Sequence, residues 1–485
     1  MKINNFNSVT FWIVLFTLFI ASCNLSGQTD EQHVPNPKNI IVFVSDGMGF
    51  EHLRATNFYN HGQDNAQAFQ QEDWIKFAMA TYSSVTSTRG GDTIFSTGYN
   101  PRMASLDPGY IKNDYTDSGA AATSLSTAKK SYNGSIGIGL KGDTLTHMSQ
   151  AAKALGKATG IVSSVPLSHA TPAGFVAHNE HRNNYAQIAQ YMFFHTATDV
   201  IMAPGNPDFD DNGQLVEGNP RYVGGQEVWD LLKANDNRTV FGTTEATFRV
   251  QDATGNGQPD PWTLIQTREE FQQMASGRTP RRVLGVPQVH ATLQQGRDAV
   301  KGHTLPFQTP FNENVPTLEE MTKAAINVLN QNSNGFFVMV EGGAVDWASH
   351  NNDSARMIEE QTDFNNAVKA AIEWVEKHSS WEETLIIVTS DHECGYLTGP
   401  GKPDPIYGPV TNNGQGNLPG MQWHYGSHTN VLVPFFAKGT GAELFNLVAR
   451  QTDPQYGPFI ENTDMASLVF LMWGKPEIRV HKMNK

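Results

Sequence analysis

Three apolar runs, each ending in acidic residues, constrain this chain more than any other feature. Asn39 to Val44 leads into Ser45-Asp46-Gly47-Met48-Gly49, Gly335 to Val340 into Glu341-Gly342-Gly343, and Thr384 to Thr389 into Ser390-Asp391-His392. Runs that are apolar at successive positions, rather than at alternate ones, belong to strands buried on both faces. Helical patterns separate them. Thr317-Leu318-Glu319-Glu320 is a capping-box sequence, followed by Met321, Ala324, Ala325, Val328 and Leu329 at helical spacing. A second helix is expected from Ser354 to Val375, with Met357, Phe364, Val368 and Ile372 facing inward. The fold class this predicts is α/β: a mostly parallel central sheet with helices on both faces. In such a sheet the C-terminal strand ends converge on one crevice, where ligands bind.

Asp46, Glu341 and Asp391 would therefore meet. Carboxylates crowded into a dry crevice repel one another and take up protons unless cations sit among them. Imidazoles stand nearby at ligand spacing. Asp346 and His350 are four apart, so one helical turn points both the same way, while His392 adjoins Asp391. His428 precedes a strand expected over Val431 to Ala437. Mixed nitrogen and oxygen donors favour zinc; oxygen-only sets favour magnesium.

Ser118, in Tyr115-Thr116-Asp117-Ser118-Gly119-Ala120, is the candidate nucleophile. Small residues after it begin a helix, whose amide end favours a phosphate. An isolated Thr-Asp-Ser also reads as a plain helix N-cap. No Ser-His-Asp layout is evident in the sequence, so activation of the hydroxyl falls to metal.

Together these motifs resemble the alkaline phosphatase family. Asp46-Gly47-Met48-Gly49, Thr116-Asp117-Ser118, His169-Ala170-Thr171-Pro172-Ala173-Gly174, Glu341 to Asp346 with His350, Asp391-His392 and His428-Thr429 occur in the family's order and at similar spacing, from Lys38 to Ala437. The resemblance implies two zinc ions and one magnesium: Asp346, His350 and His428 for the first zinc, and Asp46, Asp391 and His392 for the second. Asp46, Thr171 and Glu341 are implied for the third site. It also implies hydrolysis of small phosphate monoesters through a phosphorylated Ser118, with Arg182 gripping phosphate beside Asp117, and a homodimer.

Two positions depart from the best-known bacterial pattern. His169 replaces an aspartate at the third metal site, leaving that site open to zinc, and Trp347 replaces a lysine that helps attract phosphate. Cys394 reads as a small buried filler. A phosphodiesterase or phosphotransferase on the same scaffold is the nearest alternative reading, and a non-catalytic phosphate-binding lipoprotein the more distant one.

The rest of the chain bounds the setting. Lys2 and the apolar run Phe11 to Ile20, too short to span a bilayer, read as a signal peptide over residues 1–22. Ile20-Ala21-Ser22-Cys23 resembles a lipobox, so Cys23 is expected to carry a lipid that ties an exported protein to the cell envelope. Residues 23–37 would form the tether and 38–485 the catalytic domain. With Cys394 the only other cysteine, a lipidated chain forms no internal disulfide. The 48 acidic against 34 basic residues, with no basic stripe, argue against nucleic acid as a specific partner. Gly205 to Pro316 reads as a long insertion, and Thr398 to Gln422 as a short crown-like loop. Within the insertion, Asp208 to Gly213 begins like a calcium loop but has Asn219 where the twelfth-position Glu belongs, so a surface turn is expected.

Overall fold

The computed structural model describes residues 34–475, apart from 90–91, 235–240, 243–246, 249–250 and 402–407. The expected signal peptide, Cys23 and most of the tether lie outside the described residues, as does part of the crown-like loop. No helix among the described residues is long and apolar enough to cross a membrane.

Among the described residues, eleven strands form the central sheet. In chain order they are β1 (Asn39–Ser45), β2 (Ile75–Ala80), β3 (Ala158–Ser163), β4 (Val200–Met202), β5 (Thr263–Ile265), β6 (Val283–Gly285), β7 (Phe336–Gly342), β8 (Thr384–Thr389), β9 (Val433–Gly439), β10 (Gln451–Asp453) and β11 (Gly457–Glu461). Across the sheet they run β10-β11-β2-β9-β8-β1-β7-β3-β4-β6-β5. From β8 to β5 every pairing is parallel, whereas β9 lies antiparallel to both β8 and β2.

The apolar runs occupy the sheet centre, and every residue of β1, β7 and β8 is buried. Alternation along β1 sends Ile40, Val42 and Val44 into the core on one face, with Leu125, Phe175 and Met465. Ile41 and Phe43 point to the other face, against Met321, Ala325, Phe364 and Val368. Each such side chain, fully buried, contributes about 1.5–3 kcal/mol of transfer free energy. Two helices cover the second face. One runs Leu318–Leu329, with Thr317 Oγ1 accepting from Glu320 N at 3.1 Å and Glu320 Oε2 from Thr317 N at 2.9 Å. The other runs Ser354–His378, three residues longer than the apolar spacing required.

The insertion is part of this sheet. It supplies β5 and β6, which extend the parallel edge, so Gly205 to Pro316 builds onto the existing core. Its Asp208–Gly213 segment is a tight turn in which Asp210 Oδ1 accepts from Asn212 N and Gln214 N, both at 2.9 Å. Asp208 Oδ2 accepts from Trp229 Nε1 at 2.9 Å and from Lys233 Nζ at 3.0 Å, so protein donors occupy it.

Candidate active site

The C-terminal ends of β1, β7 and β8 deliver their acids to one crevice. Asp46 directly follows β1, Asp391 stands two residues past the end of β8, and Glu341 is the next-to-last residue of β7. A short helix, Ala344–His350, then carries Asp346 and His350 back over the strand ends. Gly47 permits that approach. Its φ is +78°, and a Cβ there would stand 2.8 Å from Asp346 Cα. His428 reaches the crevice because β9 is antiparallel, so the residues before it lie where β8 finishes.

Asp346, His350 and His428 form one cluster. His350 Nε2 lies 3.2 Å from His428 Nε2 and 3.3 Å from Asp346 Oδ2, and His428 Nε2 lies 3.5 Å from Asp346 Oδ1. Each ring turns its other nitrogen to a carbonyl: His350 Nδ1 donates to Gly426 O at 2.9 Å, and His428 Nδ1 to Thr116 O at 3.0 Å. A carbonyl can only accept, so in the neutral form of each ring the Nε2 lone pair faces the cluster. Cys394 joins this group, with Sγ within 4.8 Å of the other donor atoms. It is buried, as a filler would be, but pairing of Cys394 with His428 across a short antiparallel ladder turns both side chains to one face.

Asp46, Asp391 and His392 form a second cluster, next to Ser118. His392 Nε2 stands 3.2 Å from Ser118 Oγ, 3.2 Å from Asp391 Oδ2 and 3.4 Å from Asp46 Oδ1. A catalytic triad would place the carboxylate on the far ring nitrogen. Here serine and both carboxylates converge on the same nitrogen, while His392 Nδ1 is buried without a partner. That is the geometry of a coordination shell.

Ser118 is the first residue of the helix Ser118–Thr127, and Asp117 is its N-cap, with Oδ1 accepting from Ala120 N at 2.9 Å. The capping role that Ser118 might have filled is therefore taken. The other Asp117 oxygen, Oδ2, accepts from Arg182 Nη1 at 3.0 Å, which fixes the guanidinium beside the helix end. Despite burial, Arg182 and these amides hold the Asp117 carboxyl below its usual range.

Glu341 and Thr171 lie in the third group, where Ser163 Oγ donates to Glu341 Oε2. Ser164 Oγ accepts from Gly343 N at 2.9 Å and orients the turn into the Asp346 helix. Neither serine stands out in the sequence, although they end a β-branched run. His169 caps the five-residue helix Ala170–Gly174, between Tyr185 at 6.2 Å and Trp347 at 5.6 Å. Burial, then the Arg182 charge, lowers its pKa to about 3, so it is neutral and able to donate a lone pair.

The crevice also tests whether cations fit. Both oxygens of Asp46, Asp391 Oδ2, Asp346 Oδ1, Glu341 Oε1 and Thr171 Oγ1 are buried without a hydrogen-bond partner. Leaving several carboxylate oxygens so is costly. Burial pushes Asp391 up to about 7 and Glu341 to about 8, and burial followed by the Asp391 charge raises Asp46 well above the carboxylate range. The residues present fit divalent cations: two nitrogen–oxygen donor sets and one oxygen set.

The alkaline phosphatase family pattern matches residues 37–432. The chain belongs to the alkaline phosphatase family. Escherichia coli (strain K12) alkaline phosphatase is 30% identical over 450 residues, covering 86% of this chain and 84% of that protein. Alkaline phosphatase 4 of Bacillus subtilis (strain 168) is 30% identical over 366 residues, which is 74% of this chain but 62% of the relative. Among solved structures, alkaline phosphatase from the Antarctic bacterium TAB5 superposes with a TM-score of 0.60 at 23% identity, over 91% of this chain and 99% of that one. A TAB5 mutant with a histidine changed to aspartate and magnesium bound in its M3 site superposes equally well, with a TM-score of 0.60 at 22% identity and the same coverage. At these identities the superpositions speak for the alkaline phosphatase fold alone.

Proposed function

We propose that the protein hydrolyses phosphate monoesters, with Ser118 as nucleophile. The observation that carries this reading is Ser118 Oγ at a helix N-terminus, 3.2 Å from His392 Nε2, inside a crevice of unpartnered carboxylates. By donor type, Asp346, His350 and His428 would hold one zinc, and Asp46, Asp391 and His392 a second. Asp46, Thr171 and Glu341, with His169 nearby, would hold magnesium or a third zinc; the magnesium in the TAB5 mutant's M3 site supports a third cation. Bound there, such cations supply Lewis-acid charge that lowers the pKa of a hydroxyl or water and neutralises a departing oxygen.

Ser118 Oγ gives up its proton to solvent and attacks phosphorus in line, so its new P–O bond forms as the ester P–O bond opposite breaks. The alcohol departs on the His350 and His428 side and is released with a proton from water. Water then attacks the phosphoserine from that side, returning the Ser118 hydroxyl and freeing inorganic phosphate. Arg182, held by Asp117, grips two phosphate oxygens with its planar fork. A diester has one of those oxygens substituted, which favours monoesters. Export and a lipid on Cys23 at the cell envelope rest on Ile20 to Cys23, and a homodimer on the family resemblance.

Parallel assays of p-nitrophenyl phosphate, bis(p-nitrophenyl) phosphate and p-nitrophenyl sulfate test the class. Turnover should be dominated by the monoester; dominant diester or sulfate turnover overturns the assignment.

A further inference from the structure

In-line displacement places the departing alcohol opposite Ser118 Oγ, across phosphorus. On the phosphoryl-transfer reading above, the groups on that side are those of the first cluster, and His350, with 36% of its side chain exposed, is more open than Asp346 or His428. The organic part of a substrate must leave the crevice past this residue. What stands there is aromatic. The Tyr115 ring lies 5.7 Å from the His428 ring and 6.2 Å from the Tyr425 ring, to which it is inclined by 70°. Both tyrosines are partly exposed. Two rings near a right angle make a corner in which a flat guest can stack on one face and meet the edge of the other.

The corner is fixed in place. Ser427 Oγ donates to Tyr115 OH at 3.1 Å, Tyr425 N donates to Gly395 O at 3.1 Å, and Gly426 O accepts from His350 Nδ1 at 2.9 Å. The turn that presents Tyr425 is therefore bonded to the cluster it overlooks. Lys112 Nζ lies 5.9 Å from the Tyr425 ring centre and 5.7 Å from that of Tyr396. It brings a positive charge beside the Tyr425 ring.

Resting on the phosphomonoesterase reading above, we propose that Tyr115 and Tyr425 form a leaving-group subsite selecting phosphomonoesters whose alcohol carries a planar aromatic ring, with nucleoside monophosphates as the biological class. A preformed aromatic corner costs little ordering on binding, so its contacts appear in kcat/KM.

The test compares adenosine 5′-phosphate with ribose 5-phosphate. Both release the same primary alcohol, so the chemistry is matched and the ratio of kcat/KM within one enzyme reads the ring alone. In the wild type the ratio should favour the nucleotide about fivefold, which corresponds to about 1 kcal/mol. Tyr425→Ala should bring it close to one, and Tyr425→Phe, which keeps the ring, should retain it. A wild-type ratio near one with both substrates turned over, or an unchanged ratio in Tyr425→Ala, overturns the subsite while the phosphomonoesterase reading stands. Turnover of neither substrate would remove that reading and the subsite with it.

Discussion

Asp117 shows how much one carboxylate can be asked to do. One oxygen caps the helix that begins at Ser118, and the other holds Arg182. Asparagine caps as well as aspartate, so Asp117→Asn should keep the helix cap while loosening the guanidinium. The expected result is a KM for p-nitrophenyl phosphate, and an inhibition constant for inorganic phosphate, raised by about three- to tenfold. Unchanged phosphate inhibition would show that the pairing does not position Arg182. The site was legible in the sequence wherever a residue donates to a shared centre: Asp46, Asp346, His350, Asp391, His392 and His428 all meet where the strand-end pattern sends them. Which of Asp117 and Ser118 caps the helix was not legible, since that is a one-residue distinction set by backbone geometry. Nor were Ser163 and Ser164, whose partners Glu341 and Gly343 are remote in sequence and adjacent only through the pairing of β3 with β7.

At the level of elements, the buried strands were the most readable part, because an unbroken apolar run has few other homes. β1, β7 and β8 lie where the runs predicted, and they pair side by side in the order β8-β1-β7. Two things escaped. Strand direction is not written in composition, and only the antiparallel course of β9 brings His428 to the crevice. The short strands β5 and β6, of three residues each, are too brief to stand out in a Gly- and Pro-rich stretch, so the insertion's place in the sheet emerges only from tertiary pairing. Cys394 belongs here too: its two-residue strand with His428 is what turns a filler toward the donor cluster of Asp346, His350 and His428.

For the molecule as a whole, the crevice couples charge to stability. Without cations, Asp391 and Glu341 have folded-state pKa values of about 7 and about 8, chiefly through burial. Their unfolded values are near 4, so the folded chain binds more protons between these limits, and their contribution is lost as pH rises through 7 to 8. His350 is raised to about 9 despite burial, by its bond to Asp346, and its contribution is lost as pH rises through that value. Below about 6.5 the buried His52, lowered to about 4, and His147, lowered to about 3, work the other way. A chelator-treated sample should thus lose melting temperature steadily from about pH 7 to about pH 9, and a zinc-loaded one much less. Calorimetry with and without chelator reads this directly, and parallel profiles would contradict a crevice built around cations.

The most direct test of the account measures zinc content and p-nitrophenyl phosphate turnover on the same preparations of wild type and Ser118→Ala. Bound zinc in both, with turnover confined to the wild type, is the predicted result. Retained turnover in Ser118→Ala, or a wild type that hydrolyses the ester without bound zinc, would contradict it.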